Sequence, residues 1–181
     1  MSFPFPHAKP RKLGYAPAEV DAFIAEARDA YNNREDGARL DIREREFTLV
    51  KGGYSVTAVD VALDRLEDSF SSRALKKVLF EQGQDALSER ANEIRVLLVG
   101  RLERPKGKRF KTTGPILRGY SRKEVDQFLV GVSSHIDTRS ALSLDEVRMA
   151  IFTPKRGGYA ENQVDSFIDR VIELLQVEKA L

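Results

Sequence analysis

The chain has 181 residues, of which 41% are hydrophobic and 32% charged, and its formal net charge is only +2. This length suits one medium domain or two small ones, and the composition favours a soluble, helix-rich protein over a disordered segment. Because there is no cysteine, a disulfide framework is excluded and a zinc site is disfavoured. The weak net charge disfavours a protein whose main partner is nucleic acid.

The first ten residues, MSFPFPHAKP, are rich in proline and lack the apolar segment of a secretory signal peptide. No apolar run in the sequence approaches the roughly 20 residues of a membrane-spanning helix. We therefore expect a cytoplasmic protein.

One sequence motif occurs four times: Gly-Tyr, four further residues, and then Val-Asp. Its copies are Gly14-Tyr15 with Val20-Asp21, Gly53-Tyr54 with Val59-Asp60, Gly119-Tyr120 with Val125-Asp126, and Gly158-Tyr159 with Val164-Asp165. The first two copies are 39 residues apart (53 − 14), as are the last two (158 − 119), whereas 66 residues separate the two pairs (119 − 53). This spacing predicts a duplicated unit that holds two copies of the motif.

The segments before each copy support the duplication. A phenylalanine lies nine residues before the glycine in copies one and three, and six residues before it in copies two and four (Phe5, Phe110, Phe47 and Phe152). DIREREFTLVKGGY before copy two also resembles DEVRMAIFTPKRGGY before copy four. We expect a short helix in each of these two segments, at 41–47 and 145–152, lined by Ile42 with Phe47 and by Val147 with Ile151.

A longer helix is predicted after each Gly-Tyr pair. Pro17 suits the first helical turn, Ser55 suits an N-cap, and Ser121 with Glu124 has the spacing of a capping box. Apolar residues then recur at helical spacing, as in Val20, Phe23, Ile24, Ala27 and Tyr31 of copy one and Val164, Phe167, Ile168, Val171 and Leu175 of copy four.

The motif residues have structural interpretations. The glycine is expected to make a tight turn with a φ that other residues avoid. The tyrosine is expected to pack its ring against the base of the helix and to keep its hydroxyl near water. Two interpretations of the aspartate stay open: a favourable interaction with the helix N-terminus or a loop amide, and a recognition carboxylate for a basic partner.

The longest predicted helical stretch runs from Ser55 to Arg104. Its apolar residues have heptad-like spacing, in Val59, Leu63, Leu66 and Phe70 and again in Leu87, Ala91, Ile94 and Leu98. Because Ser71-Ser72 and Gly83 interrupt the pattern, we expect a bent or broken helix.

The segment RLERPKGKRF at 101–110 ends this stretch, because Pro105 and Gly107 break helices. We take it as the boundary between the two units. The predicted fold is all-α with coiled-coil-like packing, in which a first pair of repeats at 1–73 and a second pair at 106–181 are joined by a helical connector at 74–105.

The segment GYSRKEVDQFL, preceded by Leu117-Arg118, resembles the lipid-binding N-terminal module of the bacterial division protein DivIVA and of the related adaptor GpsB. The whole chain, with paired copies on either side of RLERPKGKRF, resembles the DivIVA domain repeat proteins of actinobacteria. The resemblance implies modules that intertwine through their pre-helix loops, with long helices in a parallel coiled coil. Copy one would then pair with copy two, and copy three with copy four, inside a single chain.

The resemblance also implies a membrane-binding loop just before the Gly-Tyr pair, where an apolar side chain inserts and a basic one meets anionic phosphate. The corresponding residues here are Lys12, Leu13, Lys51, Leu117, Arg118 and Arg156. Copies two and four have the basic residue without the apolar one. The alternative is that Leu13 and Leu117 pack inside the paired copies and the basic side chains are solvated.

GpsB-like adaptors imply a groove that holds arginine-bearing tails of cell-wall synthases, onto which Tyr15, Asp21, Tyr120 and Asp126 map. Copy two departs from the pattern because Ala62 replaces the helix aromatic. The expected function is a non-enzymatic interaction module for cell division or polar growth. Its expected partners are a DivIVA-type scaffold, cell-wall or division proteins and an anionic membrane surface, at the inner face of the membrane, the cell pole or the septum, with self-association as a further expectation.

Two alternatives come from other classes of protein. One is a soluble adaptor for cell-wall enzymes that makes no membrane contact, and the weaker one is nucleic-acid binding by Lys106, Lys108, Arg109 and Lys111 with Phe110 among them. An enzyme is not expected, because the sequence has no cysteine nucleophile, no phosphate-binding glycine loop and no histidine with a partner at metal-ligand spacing. No cofactor or metal is expected.

Overall fold

The computed structural model describes residues 5–33, 40, 42, 45–138 and 140–181. This part of the chain is predominantly helical, with five helices and four strands of three residues each. It forms two compact units, Met1–Lys77 and Val78–Leu181. The predominantly helical fold was predicted, whereas the strands were not. The division at residues 73 and 105 stays a prediction.

The described residues of the first unit form one strand pair and two helices. Its elements in chain order are β1 (Leu13–Tyr15), α1 (Pro17–Asn32), β2 (Leu49–Lys51) and the first part of α2 (Val56–Leu102). β1 and β2 are antiparallel, with Leu13 opposite Lys51 and Tyr15 opposite Leu49. The core lies between the helices and beneath the strand pair, and its largest buried side chains are Phe23, Phe47, Tyr54, Leu63 and Phe70.

The described residues of the second unit show the same arrangement and include a short helix. Besides the last part of α2, its elements are β3 (Arg118–Tyr120), α3 (Arg122–Thr138), α4 (Leu144–Arg148), β4 (Pro154–Arg156) and α5 (Glu161–Ala180). β3 and β4 are antiparallel, with Arg118 opposite Arg156 and Tyr120 opposite Pro154. α5 contributes much of the core, through Val164, Phe167, Val171, Ile172, Leu174, Leu175 and Val177.

The heptad-spaced residues of α2 are largely buried. Val59, Leu63 and Phe70 pack in the core of the first unit, and Leu87, Ala91, Ile94 and Leu98 are buried in the second. The helix is interrupted at Gly83, whose φ of 84° and ψ of 177° are accessible only to glycine. The predicted break at Gly83 is therefore confirmed, whereas Ser71-Ser72 continue as helix.

The predicted helix starts are confirmed at Pro17, Ser55 and Ser121, whereas the predicted capping box between Ser121 and Glu124 does not form. Pro17 is the first residue of α1, and Ser55 lies immediately before α2, where its carbonyl accepts from Val59 N–H at 3.0 Å. Ser121 forms no reciprocal capping box with Glu124. Its N–H donates to the carbonyl of Thr153 (2.9 Å), and the Glu124 carboxylate accepts from Thr153 N–H (2.6 Å).

The same two bonds occur in the first unit, 105 positions earlier in the sequence (119 − 14). Ala16 N–H donates to the carbonyl of Thr48 (2.8 Å), and Thr48 N–H donates to the carboxylate of Glu19 (2.7 Å). The acid in the first turn of each helix thus bonds to the residue just before the strand of the paired copy. The duplication read from the spacing therefore extends to individual hydrogen bonds.

The short helix predicted at 145–152 is present as α4, which has a capping box between Ser143 and Glu146. Val147 is buried as expected, but the helix ends at Arg148 and leaves the side chain of Ile151 exposed. The corresponding helix predicted at 41–47 falls largely outside the described residues.

Ion pairs fix the end of α5 within the second unit. The guanidinium of Arg95 lies 2.5 Å from the Glu178 carboxylate, and the imidazole of His135 lies 2.7 Å from its other oxygen. Arg90 pairs with Glu173 at 2.7 Å. Burial alone would raise the pKa of Glu178, but the hydrogen bonds from Arg95 and His135 outweigh burial and lower it.

Candidate functional site

The two Gly-Tyr pairs of each unit cross and exchange backbone hydrogen bonds. Tyr15 N–H donates to the carbonyl of Tyr54 (3.0 Å), and Tyr54 N–H donates back to Tyr15 (2.8 Å). Tyr120 and Tyr159 make the same two bonds, at 3.0 and 2.9 Å. Copy one therefore contacts copy two, and copy three contacts copy four, as the spacing predicted.

The motif glycines are needed because the two backbones approach closely. A Cβ on Gly14 would lie 2.3 Å from the carbonyl oxygen of Tyr54, and one on Gly158 would lie 2.4 Å from that of Gly119. The predicted reason, a φ available only to glycine, is wrong. Among the described glycines, the positive φ values belong to others, including Gly52 and Gly157 just before the motifs.

Each motif tyrosine donates to the motif aspartate of the paired copy. The hydroxyl of Tyr54 lies 3.2 Å from Asp21 Oδ1, and that of Tyr159 lies 3.1 Å from Asp126 Oδ1. The reciprocal bonds join Tyr15 to Asp60 and Tyr120 to Asp165. The aspartate therefore ties paired copies together, a role that was not predicted, while the predicted bond to a loop amide is present at Asp126, which accepts from Gly107 N–H (2.7 Å).

The prediction that the tyrosine hydroxyls lie near water is wrong for two of the four. Tyr54 and Tyr159 are buried, and only Tyr15 and Tyr120 are partly exposed. The proposed groove residues Tyr15, Asp21, Tyr120 and Asp126 are likewise engaged in these hydrogen bonds.

Burial sets the electrostatics of the partly exposed pairs. It raises the pKa of Asp60 and Asp165, and the hydrogen bonds from Tyr15 and Tyr120 offset this rise only in part. Burial also raises the pKa of both tyrosines, and the negative charge of the facing aspartate adds to the effect. The tyrosines thus remain hydrogen-bond donors well above neutral pH.

The approach phenylalanines pack on the tyrosine of the opposite copy. The ring of Phe5 lies 5.4 Å from that of Tyr54, and Phe110 lies 5.2 Å from Tyr159. Phe47 packs on Tyr15, and Phe152 packs on Tyr120, each at 5.3 Å. These aromatic pairs extend the contact between copies beyond the backbone.

The membrane-loop candidates gather at one end of each strand pair. We call Lys12, Leu13 and Lys51 the first tip, and Ile116, Leu117, Arg118 and Arg156 the second tip. Leu13 is opposite Lys51, and Arg118 is opposite Arg156. A backbone hydrogen bond closes each tip. Gly52 N–H donates to the carbonyl of Lys12 in the first tip, and Gly157 N–H donates to the carbonyl of Leu117 in the second.

The apolar side chains of both tips are exposed. Leu13 is 55% exposed and Leu117 is 66% exposed, so the alternative that they pack inside the paired copies is wrong. Ile116, which was not predicted from the sequence, is 83% exposed beside Leu117. Its position directly before Leu117-Arg118 is the signal that could have identified it.

The basic segment at 101–110 contributes to the site of the second unit. Arg109 is buried, with its guanidinium 3.8 Å from Asp126 Oδ1 and its backbone N–H 3.2 Å from the hydroxyl of Tyr159. Phe110 is buried against Tyr159. These two residues of the basic segment are therefore not exposed to a nucleic acid, whereas Lys106, Lys108 and Lys111 are.

Within the described residues, no cluster of three or more His, Asp or Glu side chains is arranged to hold a metal ion. The helices described also include none with the length and apolar character needed to cross a membrane.

No protein-family model, curated protein or solved structure matches this chain. Inference about its function therefore rests on the tips and the paired motifs.

Proposed function

We propose that this chain is a non-enzymatic interaction module that docks on an anionic membrane surface through its tips. The observation that carries the proposal is the second tip, where Ile116 and Leu117 are exposed next to Arg118 and Arg156. Apolar side chains flanked by basic ones suit the boundary between lipid headgroups and acyl chains.

The energies indicate how strongly each tip can dock. Burying a leucine side chain fully contributes about 1.5–3 kcal/mol, and a basic residue near an anionic surface contributes about 1 kcal/mol. The first tip supplies one exposed leucine and two lysines, so its expected binding alone is weak and reversible. A second contact by the other tip of the same chain would be intramolecular and would raise the apparent affinity.

The cellular setting is part of the same proposal. The motif resemblance to DivIVA and GpsB motivates partners among DivIVA-type scaffolds and cell-wall or division proteins, at the pole or septum. The tyrosines, aspartates and glycines of the paired motifs form the contacts between copies. We propose that these contacts support the strand pair that carries each tip. The apolar side chains of the tips remain exposed, and we propose the tips as the surfaces that meet a partner.

Vesicle co-sedimentation tests the proposal, with anionic and neutral vesicles and the variant Leu13→Ser plus Leu117→Ser. The matched control is Phe80→Ser, which removes an exposed apolar side chain (92%) that belongs to neither tip. All variants are first checked for native helicity. We expect binding to anionic vesicles that the double variant loses and the control retains. Absence of native binding would instead support the soluble adaptor.

A further inference from the structure

A cavity of about 600 Å³ in the second unit is lined by a concentration of basic side chains. It lies where β4 and the two glycines after it meet the first half of α3 and residues 106–107. Its basic lining residues are Lys106, Arg122, Lys123, Lys155 and Arg156.

The positive charge of this cavity is not balanced within the described part of the chain. None of the five basic side chains makes an ion pair with a described carboxylate. Asp126 also lines the cavity, but its oxygens already accept from the hydroxyl of Tyr159 (3.1 Å) and from Gly107 N–H (2.7 Å). Arg109 lies 3.8 Å from the same carboxylate. Asp126 is therefore committed to the contact between copies.

The first unit shows that the fold does not need these cations. At the positions 105 residues earlier, Pro17, Ala18 and Val50 stand where the second unit has Arg122, Lys123 and Lys155, and only Arg156 has a basic counterpart, Lys51. The counterpart of Lys106 lies outside the described residues.

The backbone beneath these positions is nevertheless the same. Both units share the crossed Gly-Tyr pairs, the strand register and the bond that closes each tip. Like charges gathered without a structural task disfavour the folded state through mutual repulsion. A bound anion accounts for their presence where packing does not.

We propose that this cavity binds a phosphate-bearing anion with two or more negative charges. Lysine and arginine are the side chains that bind phosphate oxygens through charge-assisted hydrogen bonds. An anion of single charge would leave most of the five cations uncompensated, whereas a diphosphate group neutralises several at once. The site does not depend on membrane docking, because only Arg156 is shared with the second tip.

The phosphate groups could come from a soluble compound or from a lipid headgroup, and the chemistry of recognition is the same. Inorganic pyrophosphate is the probe for the soluble source. Equimolar phosphatidylcholine and phosphatidylglycerol vesicles, compared with pure phosphatidylcholine vesicles, are the probe for the lipid source.

Isothermal titration of the full chain with pyrophosphate gives the first test. The variant Lys123→Ala plus Lys155→Val installs the residues that the first unit carries at the same positions, so the fold accommodates them. Its matched control is Lys76→Ala plus Lys179→Ala, which removes the same charge from exposed positions outside the cavity. Circular dichroism verifies that both variants remain helical.

We expect one pyrophosphate per chain, bound about tenfold or more weakly by the cavity variant and within about twofold of native by the control. If the control weakens binding as much as the cavity variant, the attraction is diffuse and the proposal is overturned. The proposal is also overturned if the native chain binds neither pyrophosphate nor anionic vesicles through these lysines.

The vesicle arm separates the two sources. Loss of vesicle binding in the cavity variant, with competition by pyrophosphate, assigns the site to a lipid headgroup. Vesicle binding that is unchanged in the variant, while pyrophosphate binding is lost, assigns it to a soluble phosphate compound. If the native chain binds pyrophosphate but no vesicles, the cavity stands and the membrane-docking function fails.

Discussion

The hydroxyl of Tyr159 donates a 3.1 Å hydrogen bond to Asp126, a residue of the other motif copy in the same unit. Tyr54 and Asp21 repeat this relationship in the first unit. Because the donor and the acceptor come from different copies, neither copy satisfies its own motif. The motif is therefore a device for pairing, and its duplication within each unit has a physical reason.

The crossing of the glycines predicts a strong effect of a single methyl group. In Gly119→Ala the new Cβ would lie 2.1 Å from the carbonyl oxygen of Tyr159, so the strands must separate. We expect a loss of about 1–3 kcal/mol or more in the free energy of unfolding, measured with guanidinium. Gly131→Ala is the control: this exposed glycine of α3 has open space around it, and alanine there should be neutral or stabilise by up to about 1 kcal/mol. Equal destabilisation by both would contradict the close approach.

Removal of the Tyr159 hydroxyl should destabilise the second unit through Asp126. In Tyr159→Phe a buried carboxylate oxygen loses a donor, and we expect a cost of about 1–3 kcal/mol. A double-mutant cycle with Asp126→Ala, which removes the acceptor, measures the coupling between the two side chains. A coupling energy near zero would show that the bond contributes nothing to the pairing.

The ion pairs of Glu178 predict a stability contribution that acid removes. Hydrogen bonds from Arg95 and His135 hold the pKa of Glu178 below its ordinary value of 4.5. A carboxyl with a lowered pKa stabilises the fold fully above its ordinary pKa, and this contribution is lost as the pH falls through the lowered value.

We therefore expect Glu178→Gln to cost about 1–2 kcal/mol at neutral pH and progressively less at acid pH, in denaturant unfolding at a series of pH values. The exposed Glu103→Gln serves as the control and should show no such dependence. A difference between native and Glu178→Gln that stays constant down to strongly acid pH would refute this role.

The two tips should contribute unequally to membrane docking. Ile116→Ser plus Leu117→Ser removes two exposed apolar side chains next to two arginines, whereas Leu13→Ser removes one beside two lysines. In titrations with anionic vesicles we expect the first variant to bind at least about tenfold more weakly than native, and the second to lose less. The opposite order would show that the first tip carries the interaction.

The sequence predicted the organisation of the chain better than the contacts within it. Equal intervals between the motifs predicted the pairing of copies, Pro17 marked the start of α1, and Gly83 marked the break in α2. These features are local or periodic, so they can be read from spacing and residue type alone.

The chemistry of the site depends on contacts between distant segments. Asp126 and Tyr159 are 33 residues apart, and nothing local shows that one accepts a hydrogen bond from the other. Glu124 has capping-box spacing from Ser121, but Thr153 from the paired copy supplies a backbone donor instead. The motif glycines were predicted to have a positive φ for the same reason. Their actual constraint is the close approach of the paired copy's backbone, which the sequence of one segment does not show.

The cavity of the second unit was missed because its five cations are dispersed over about 50 positions of sequence (156 − 106). Each lysine or arginine alone resembles a solvated surface residue. The two units differ at these positions, because Ala18 and Val50 of the first unit stand where the second unit has Lys123 and Lys155. This difference distinguishes the cavity lysines from ordinary surface lysines.

The most direct test of membrane docking is a probe placed on the second tip. Because the chain has no cysteine, Leu117→Cys introduces a single thiol for an environment-sensitive fluorophore, and Phe80→Cys gives the matched position outside the tips. We predict that anionic vesicles shift the emission of the label at 117 to shorter wavelength and shield it from an aqueous quencher, while the label at 80 does not respond. A label at 117 that stays fully quenched when the protein sediments with anionic vesicles would contradict insertion of this tip.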